Sequence, residues 1–421
     1  MTLLDIVEKW ISGDWGKESP CEDAQNQICC IRGADIVPIA NVDFKDIPIR
    51  FVSDRSLANR SLREGDIVIE KSGGSPTQST GRSAFVSKEL MEARGPILCS
   101  NFCCAFRVRS GWNPKYIYYY LQYFYGLGTF FNFEGKTSGL KNLDVENAFT
   151  AIVAPSASKD VQDKVEGILS SIDHRIALNR RRIATLEAMA KEIYDYWFVQ
   201  FDFPDTHGRP YKSSGGAMVY NPDLKREIPK GWEVKQLGKL TRIILGGTPA
   251  TEESRYWEGG TVPWLSSGEM ANFPVLTSEK KITELAIKNS ATDLMPSGSV
   301  ALSITRYIRP TILAIEACAN QSVVGVLETE QLHNSLIYPY LVSQVPRFLG
   351  LRTGAQQPHI NKDTVSESLL PVAVSSVLEW YYDLVDPVYN DIMVVARNLQ
   401  EMYKLREFLL PLLMNGQVKV L

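Results

Sequence analysis

Leu62–Val68 reads LREGDIV and Leu294–Val300 reads LMPSGSV. Each is a polar turn around a glycine, Gly65 or Gly298, that runs into a short apolar stretch of strand character, Ile67–Glu70 or Val300–Ile304. The likeness continues downstream. Tyr118–Leu121 is YYYL and Tyr338–Leu341 is YPYL, both placed to form short helices, and polar stretches follow, KTSGLKNL (136–143) and RTGAQQPHI (352–360). Asn179, Ile183 and Leu186 then recur as Asn398, Met402 and Leu405. One such match means little, but their common order predicts a chain built twice, each half a mixed α/β globule followed by a long helix.

The helices follow from apolar spacing. Val161, Val165, Ile168, Ile172, Ile176, Asn179, Ile183, Leu186, Ala190, Ile193 and Trp197 advance in steps of four and three, with one extra four. That is a heptad seam with a stutter. Val388, Ile392, Val395, Asn398, Met402, Leu405, Leu409 and Leu412 form a second, with Pro387 either starting or kinking it and Asn415-Gly416 at its end. Neither helix buries such a seam alone. The economical solution pairs them antiparallel as a coiled coil about a pseudo-twofold axis, with Asn179 and Asn398 at equivalent seam positions, where they either fix register or face solvent at the seam edge. The expected fold class is therefore α+β. Two similar globules, residues 1–155 and 235–374, alternate with a helix plus linker (156–234) and a closing helix (375–421). Residues 201–232, rich in Pro, Gly and Ser and without periodicity, read as a long loop.

Composition bounds the function. The chain has 421 residues, 44% apolar and 22% charged, which excludes wholesale disorder and gives material for two or more cores. No apolar run is long enough to span a membrane, and the N-terminus lacks a secretion signal. Seven cysteines, four of them in the adjacent pairs Cys29–Cys30 and Cys103–Cys104, suggest reduced thiols in buried strands and a cytoplasmic protein. The net charge is −3, and no segment carries an excess of Lys and Arg over Asp and Glu. A protein that coats nucleic acid by charge alone is not expected.

Catalytic patterns are absent from the sequence. Gly135-Lys136-Thr137 lacks the glycine that would begin a phosphate loop, and Asn221-Pro222-Asp223 lacks the rest of an adenine-methyltransferase signature. The four histidines (174, 207, 333, 359) have no ligand spacing, and Cys99, Cys103 and Cys104 have no partner cysteine or histidine for zinc. The expectation is no catalytic residue, no metal and no bound cofactor. Binding remains. Each half carries a polar loop beside a strand, Lys71–Arg82 in the first and Ser303–Arg309 in the second. Arg, Lys, Gln, Ser and Thr are the residue types that hold phosphates and read base edges.

Further residues carry a resemblance. GGTPATEESRYW (246–257), GGTVPWLSSG (259–268) and the lead-in IPKGW (228–232) resemble the opening of a target-recognition domain in the DNA-specificity subunit of type I restriction-modification systems. Leu186, Ala190, Ile193, Tyr194, Trp197 and Phe198 resemble that family's first helix, and Leu405–Pro411 its second. Residues 1–60 depart from the pattern. The resemblance implies two domains reading the halves of a split double-stranded DNA target, with the helices as a spacer. It also implies two methyltransferase subunits supplying S-adenosylmethionine chemistry and two translocating endonuclease subunits.

Expected DNA-contacting residues are Lys71, Ser75, Thr77, Gln78, Arg82, Lys136, Ser138 and Lys141 in the first half. In the second they are Thr248, Arg255, Ser266, Ser267, Arg306, Tyr307, Arg309, Gln356 and Gln357, with Gly246, Gly247 and Gly268 permitting tight turns. Two rival readings stand beside this one. The first is a coiled-coil scaffold that bridges protein partners through Arg180–Arg182, Tyr194 and Tyr196. The second is a single-chain enzyme with an unrecognised motif.

Overall fold

A computed structural model describes residues 1–75, 77–137, 140–354, 358–418 and 420, the side chains of Lys136 and Thr137 excepted. The chain forms two compact units. One joins Met1–Leu178 to Gln400–Leu421, and the other is Asn179–Leu399. Each unit therefore contains a globule together with one end of each long helix.

In the first unit, four strands lie in the order Val7–Ser12, Cys103–Val108, Ile67–Glu70, Ser83–Phe85, all antiparallel. Ile67, Val68 and Ile69 are wholly buried, as a strand covered on both faces requires. A three-stranded sheet sets Asn26–Ile31 between Ile49–Val52, antiparallel, and Ile97–Cys99, parallel. The cysteine pairs lie in these strands with free thiols, and burial pushes those of Cys30, Cys103 and Cys104 up to about 12. Helix Pro114–Gly126 begins where the Asn113 side chain accepts the amides of Lys115 and Tyr116 and Pro114 fixes the first φ. Its tyrosines fill the core against Phe106, Phe130 and Phe149, and Leu413 and Met414 close the same core. Arg107 forks onto Asp66, a carboxylate with no solvent exposure, through two hydrogen bonds of 2.8 Å.

The second unit repeats this plan. Its four strands lie in the order Ile243–Leu245, Val323–Val326, Val300–Ser303, Arg309–Ile312. Its three-stranded sheet again pairs a central strand, Val262–Leu265, antiparallel with Lys280–Ile282 and parallel with Cys318–Ala319. Helix Asn334–Gly350 takes the place of Pro114–Gly126. The duplication read from scattered four- to seven-residue matches is thus a duplication of topology.

The long helices run over Lys159–Tyr194, continued by one wide turn through Val199, and over Ser375–Met414. The second begins twelve residues before Pro387 and passes through it, because its first turns are held by burial of Val377, Tyr381 and Val385. Within the second unit, Arg182 pairs with Asp391 at 2.6 Å and Trp197 meets Tyr381 at 5.6 Å, so the chains run antiparallel. Within the first unit, Arg406 Nε donates to Asp173 at 2.6 Å, and Nη2 to Gln122 at 2.5 Å.

Ile172, Ile176, Ile183 and Val395 are buried, and Asn179, Leu186 and Met402 are half-buried. Asn398 is exposed, which fits the solvent-facing alternative and not a register-fixing role, and the expected seam fails at Leu405, 39% exposed. After Val395 the buried line takes a step of four to Leu399 rather than three, and reaches Arg406, Leu410 and Leu413. One residue is about 100° of rotation, enough to turn Asn398 and Leu405 off the contact. Tyr194 is also buried, which removes it from any outer docking face.

Residues 201–232 are not a loose loop. Met218–Asn221 pairs with Arg226–Pro229 as a hairpin, closed by Asn221 Oδ1 accepting the amides of Asp223 and Leu224. Phe201, Phe203 and Phe198 pack on Trp232 with ring centroids 5.3–5.5 Å apart. Among the described residues, no helix is long and apolar enough to cross a membrane.

Candidate nucleic-acid interface

In the first unit the polar loop leaves strand Ile67–Glu70 and is anchored at once. Lys71 and Ser72 donate their amides to the Phe102 carbonyl at 2.8 and 3.0 Å, and the Leu143 amide donates to Lys71 at 2.7 Å. Ser72–Gly73 pairs with Lys141–Asn142, and the Ser72 hydroxyl donates to Asn142 Oδ1 at 2.5 Å. Ser75 caps the next turn by accepting the Gln78 amide at 3.1 Å, which leaves Thr77 and Gln78 exposed at the tip. Lys71 is half-buried.

Two of the cations expected to reach DNA here, Arg82 and Lys141, are engaged within the protein. Arg82 forks onto Glu70 at 2.7 and 2.8 Å, with its side chain 18% exposed and that of Glu70 3%. Lys141 pairs with Glu134 at 3.0 Å and lies over the Phe131 ring at 4.7 Å. The Lys136 backbone sits opposite Lys141 in the strand pair. Its side chain, and all of Ser138, lie outside the described residues.

Glu134 is the clasp of this face. Burial pushes its pKa up, but the Thr80 amide at 2.5 Å, Lys141, and the Thr80 hydroxyl at 2.9 Å outweigh burial and hold the carboxyl below its usual range. A folded-state pKa below the unfolded value of about 4.3 stabilises the fold above that pH. The stabilisation disappears as pH falls through the folded value. Glu134→Gln should therefore be less stable than wild type near pH 7, and the gap should close in acid. Denaturant midpoints at about pH 7 and about pH 3 check this; a gap independent of pH would contradict it.

In the second unit the loop is a hairpin turn from Ser303 to Arg309. The Ser303 hydroxyl accepts the Arg309 amide at 3.1 Å and donates to the Tyr307 carbonyl. Arg306 takes a left-handed φ of 60°, a conformation uncommon outside glycine. It is held by its amide donating to the Pro358 carbonyl at 3.0 Å and by its carbonyl accepting from Arg352 Nη1 at 3.4 Å. Tyr307 is 61% exposed, with the Arg309 and Arg306 guanidinium carbons 5.2 and 6.0 Å from its ring centre. Bridges from His359 to Thr305 and Thr353 bind the following segment to the turn. The structure thus gathers Arg306, Tyr307 and Arg309 and adds Arg352, which opens the polar stretch 352–360 but was not singled out as a contact. Among the described residues none of the three arginines has an ion-pair partner. Gln356 and Gln357 lie outside the described residues.

The remaining expected contacts fall elsewhere. Thr248, exposed, donates to Gln321 at 2.5 Å, on the turn whose Ser322 carbonyl accepts the Ile304 amide at the root of the hairpin. Arg255 belongs to a separate turn, Ser254–Tyr256, and pairs with Glu253 at 3.1 Å. Ser266 is used as a cap, its amide and hydroxyl both donating to Glu269, and Ser267 follows it half-buried. A Cβ on Gly246 would stand 2.2 Å from the Asn320 carbonyl oxygen, and one on Gly247 would stand 2.7 Å from the Ala291 backbone. Close approach therefore requires glycine at both. Gly268 has no such neighbour, its nearest being the Ser266 hydroxyl at 3.7 Å.

Comparison with known proteins places these faces in context. Residues 229–375 match the family model described as the type I restriction modification DNA specificity domain. The chain is 24% identical over 405 residues to the type I restriction enzyme MjaIX specificity subunit of Methanocaldococcus jannaschii, covering 92% of this chain and 88% of that one. Over 147 residues it is 31% identical to the type I restriction enzyme EcoR124I/EcoR124II specificity subunit of Escherichia coli, 33% of this chain and 36% of that one. Its fold is similar to the crystal structure of a type I restriction-modification system S subunit from M. genitalium. That match has a TM-score of 0.58 at 12% identity and covers 98% and 95% of the two chains.

Proposed function

We propose that this chain, similar to type I restriction-modification specificity subunits, supplies DNA specificity, and that each of its two units reads one half of a split double-stranded target. The observation that carries this reading is the repeat of one sheet order with a polar loop issuing from the same strand in both units. The likeness to the family covers residues 229–375, which include the whole second loop, and so favours base readout over a scaffold that works through its helices alone. In this reading two methyltransferase subunits bring the S-adenosylmethionine chemistry, two translocating endonuclease subunits bring cleavage, and the chain works in the cytoplasm. The partners also bring much of the charge that holds the duplex, which accounts for a net charge of −3 on a DNA reader. Mapping N6-methyladenine genome-wide, with and without this chain, tests the reading. A two-part motif that vanishes with the chain is expected, and an unchanged methylation map would overturn it.

The long helices would set the unread gap between the halves. Removing seven residues from each keeps the heptad phase and shortens a helix by about 10.5 Å. At about 3.4 Å per base pair, the gap in the methylated motif should shrink by about three base pairs. A motif with the same gap would exclude the ruler role.

A further inference from the structure

The repeat allows the two loops to be compared position by position. Glu70 ends its strand opposite Cys103, as Ser303 does opposite Val323. The next amides, of Lys71 and Ile304, donate to Phe102 and Ser322 at 2.8 and 2.9 Å. The carbonyls of the same two residues accept from Leu143 and Ile360 at 2.7 and 3.0 Å. On the returning strand, Ser83 faces Ile69 and Pro310 faces Leu302. Arg82 and Arg309 are therefore equivalent residues, one at the root of each loop.

Their surroundings are opposite. Glu70 occupies the Ser303 position and takes both arms of Arg82, and its carboxylate is packed closely enough that a Cβ on Gly33 or Gly73 would stand 2.5 or 2.7 Å from Oε1. In the other unit Ser303 is too short to reach a guanidinium and spends its hydroxyl on the Arg309 amide and the Tyr307 carbonyl. The Arg309 guanidinium stays exposed, ordered against Tyr307 at 5.2 Å. A planar fork held in that way suits the O6 and N7 edge of guanine. The first loop presents Thr77 and Gln78 instead, and a glutamine amide suits the N6 and N7 edge of adenine.

Building on the two-reader function, we propose that the Asn179–Leu399 unit reads a guanine through Arg309 and the other unit an adenine through Gln78, with Glu70 as the residue that withholds Arg82 from the DNA. Glu70 is thus a specificity-determining residue that touches no base.

The test uses the complex of this chain with its methyltransferase subunits, reading methylation of a library randomised in both halves. Arg309→Ala should lower preference at one guanine of one half-site by roughly 5- to 150-fold and leave the other half intact. Glu70→Ser, or Glu70→Gln where the serine variant fails to fold, should make the first half-site accept guanine at a position where wild type rejects it. Gln78→Ala should flatten preference for an adenine in that same half. A uniform weakening by Arg309→Ala across all sequences, with the salt slope of binding reduced by about 0.9, would mark a phosphate contact and overturn the proposal. A first half-site unchanged by Glu70→Gln would overturn it equally. Absence of any preference in the wild-type complex would instead sink the recognition function itself.

Discussion

Replacing Arg107 with alanine is expected to destabilise the first unit by about 3–5 kcal/mol, because it strands the Asp66 carboxylate in a site without solvent exposure. Among the described residues Asp66 then keeps just the Arg63 amide at 2.8 Å as a donor, which does not replace a bidentate guanidinium. At roughly 2–4 °C per kcal/mol for a unit of this size, the thermal midpoint should fall by about 6–20 °C. The companion variant Asp66→Asn/Arg107→Ala removes the charge along with its partner and should recover much of the loss. If the single variant melts with wild type, the pair is not a structural requirement.

Trp232→Ala is the second large effect. Trp232 is buried among Phe198, Phe201 and Phe203, which arrive from the end of the first long helix and from the segment after it. Truncating a buried aromatic of this size costs about 3–5 kcal/mol, again a midpoint shift of about 6–20 °C if the second unit melts as one cooperative body. A mere tether would tolerate the change, so an unshifted transition would restore the loop reading of residues 201–232.

Neither site was legible in the sequence, although much of the fold around them was. The duplication was legible because turn glycines and strand starts, such as Gly65 before Ile67 and Gly298 before Val300, are local signals that recur in order. The long helices were legible because burial repeats every three or four residues. The hairpin Met218–Pro229 was not, since four-residue strands flanked by Pro, Gly and Ser carry too little periodicity to outweigh their breakers. Nor was the aromatic cluster, whose members are scattered from Phe198 to Trp232 and meet only on folding.

The two polar loop faces divide in the same way. Loop positions followed from the repeat, but the state of each cation depends on partners in neighbouring strands: Glu70 for Arg82, Glu134 for Lys141. A list of polar residue types does not distinguish an arginine held by a carboxylate from one held out on a tyrosine. The seam failed at Leu405 for a related reason. Equivalent residues were identified by their spacing along the chain, whereas burial is decided by rotation about the helix axis.

The first unit's core is completed by Leu413 and Met414, more than two hundred residues after its other long helix begins at Lys159. A ribosome emits the chain in order, so the second unit, all of it between Asn179 and Leu399, has its whole sequence in hand while the earlier one still lacks a wall. The lobe translated first is thus the last to have all of its sequence available. A stop codon near residue 400 would therefore injure the distant beginning of the polypeptide and spare its middle.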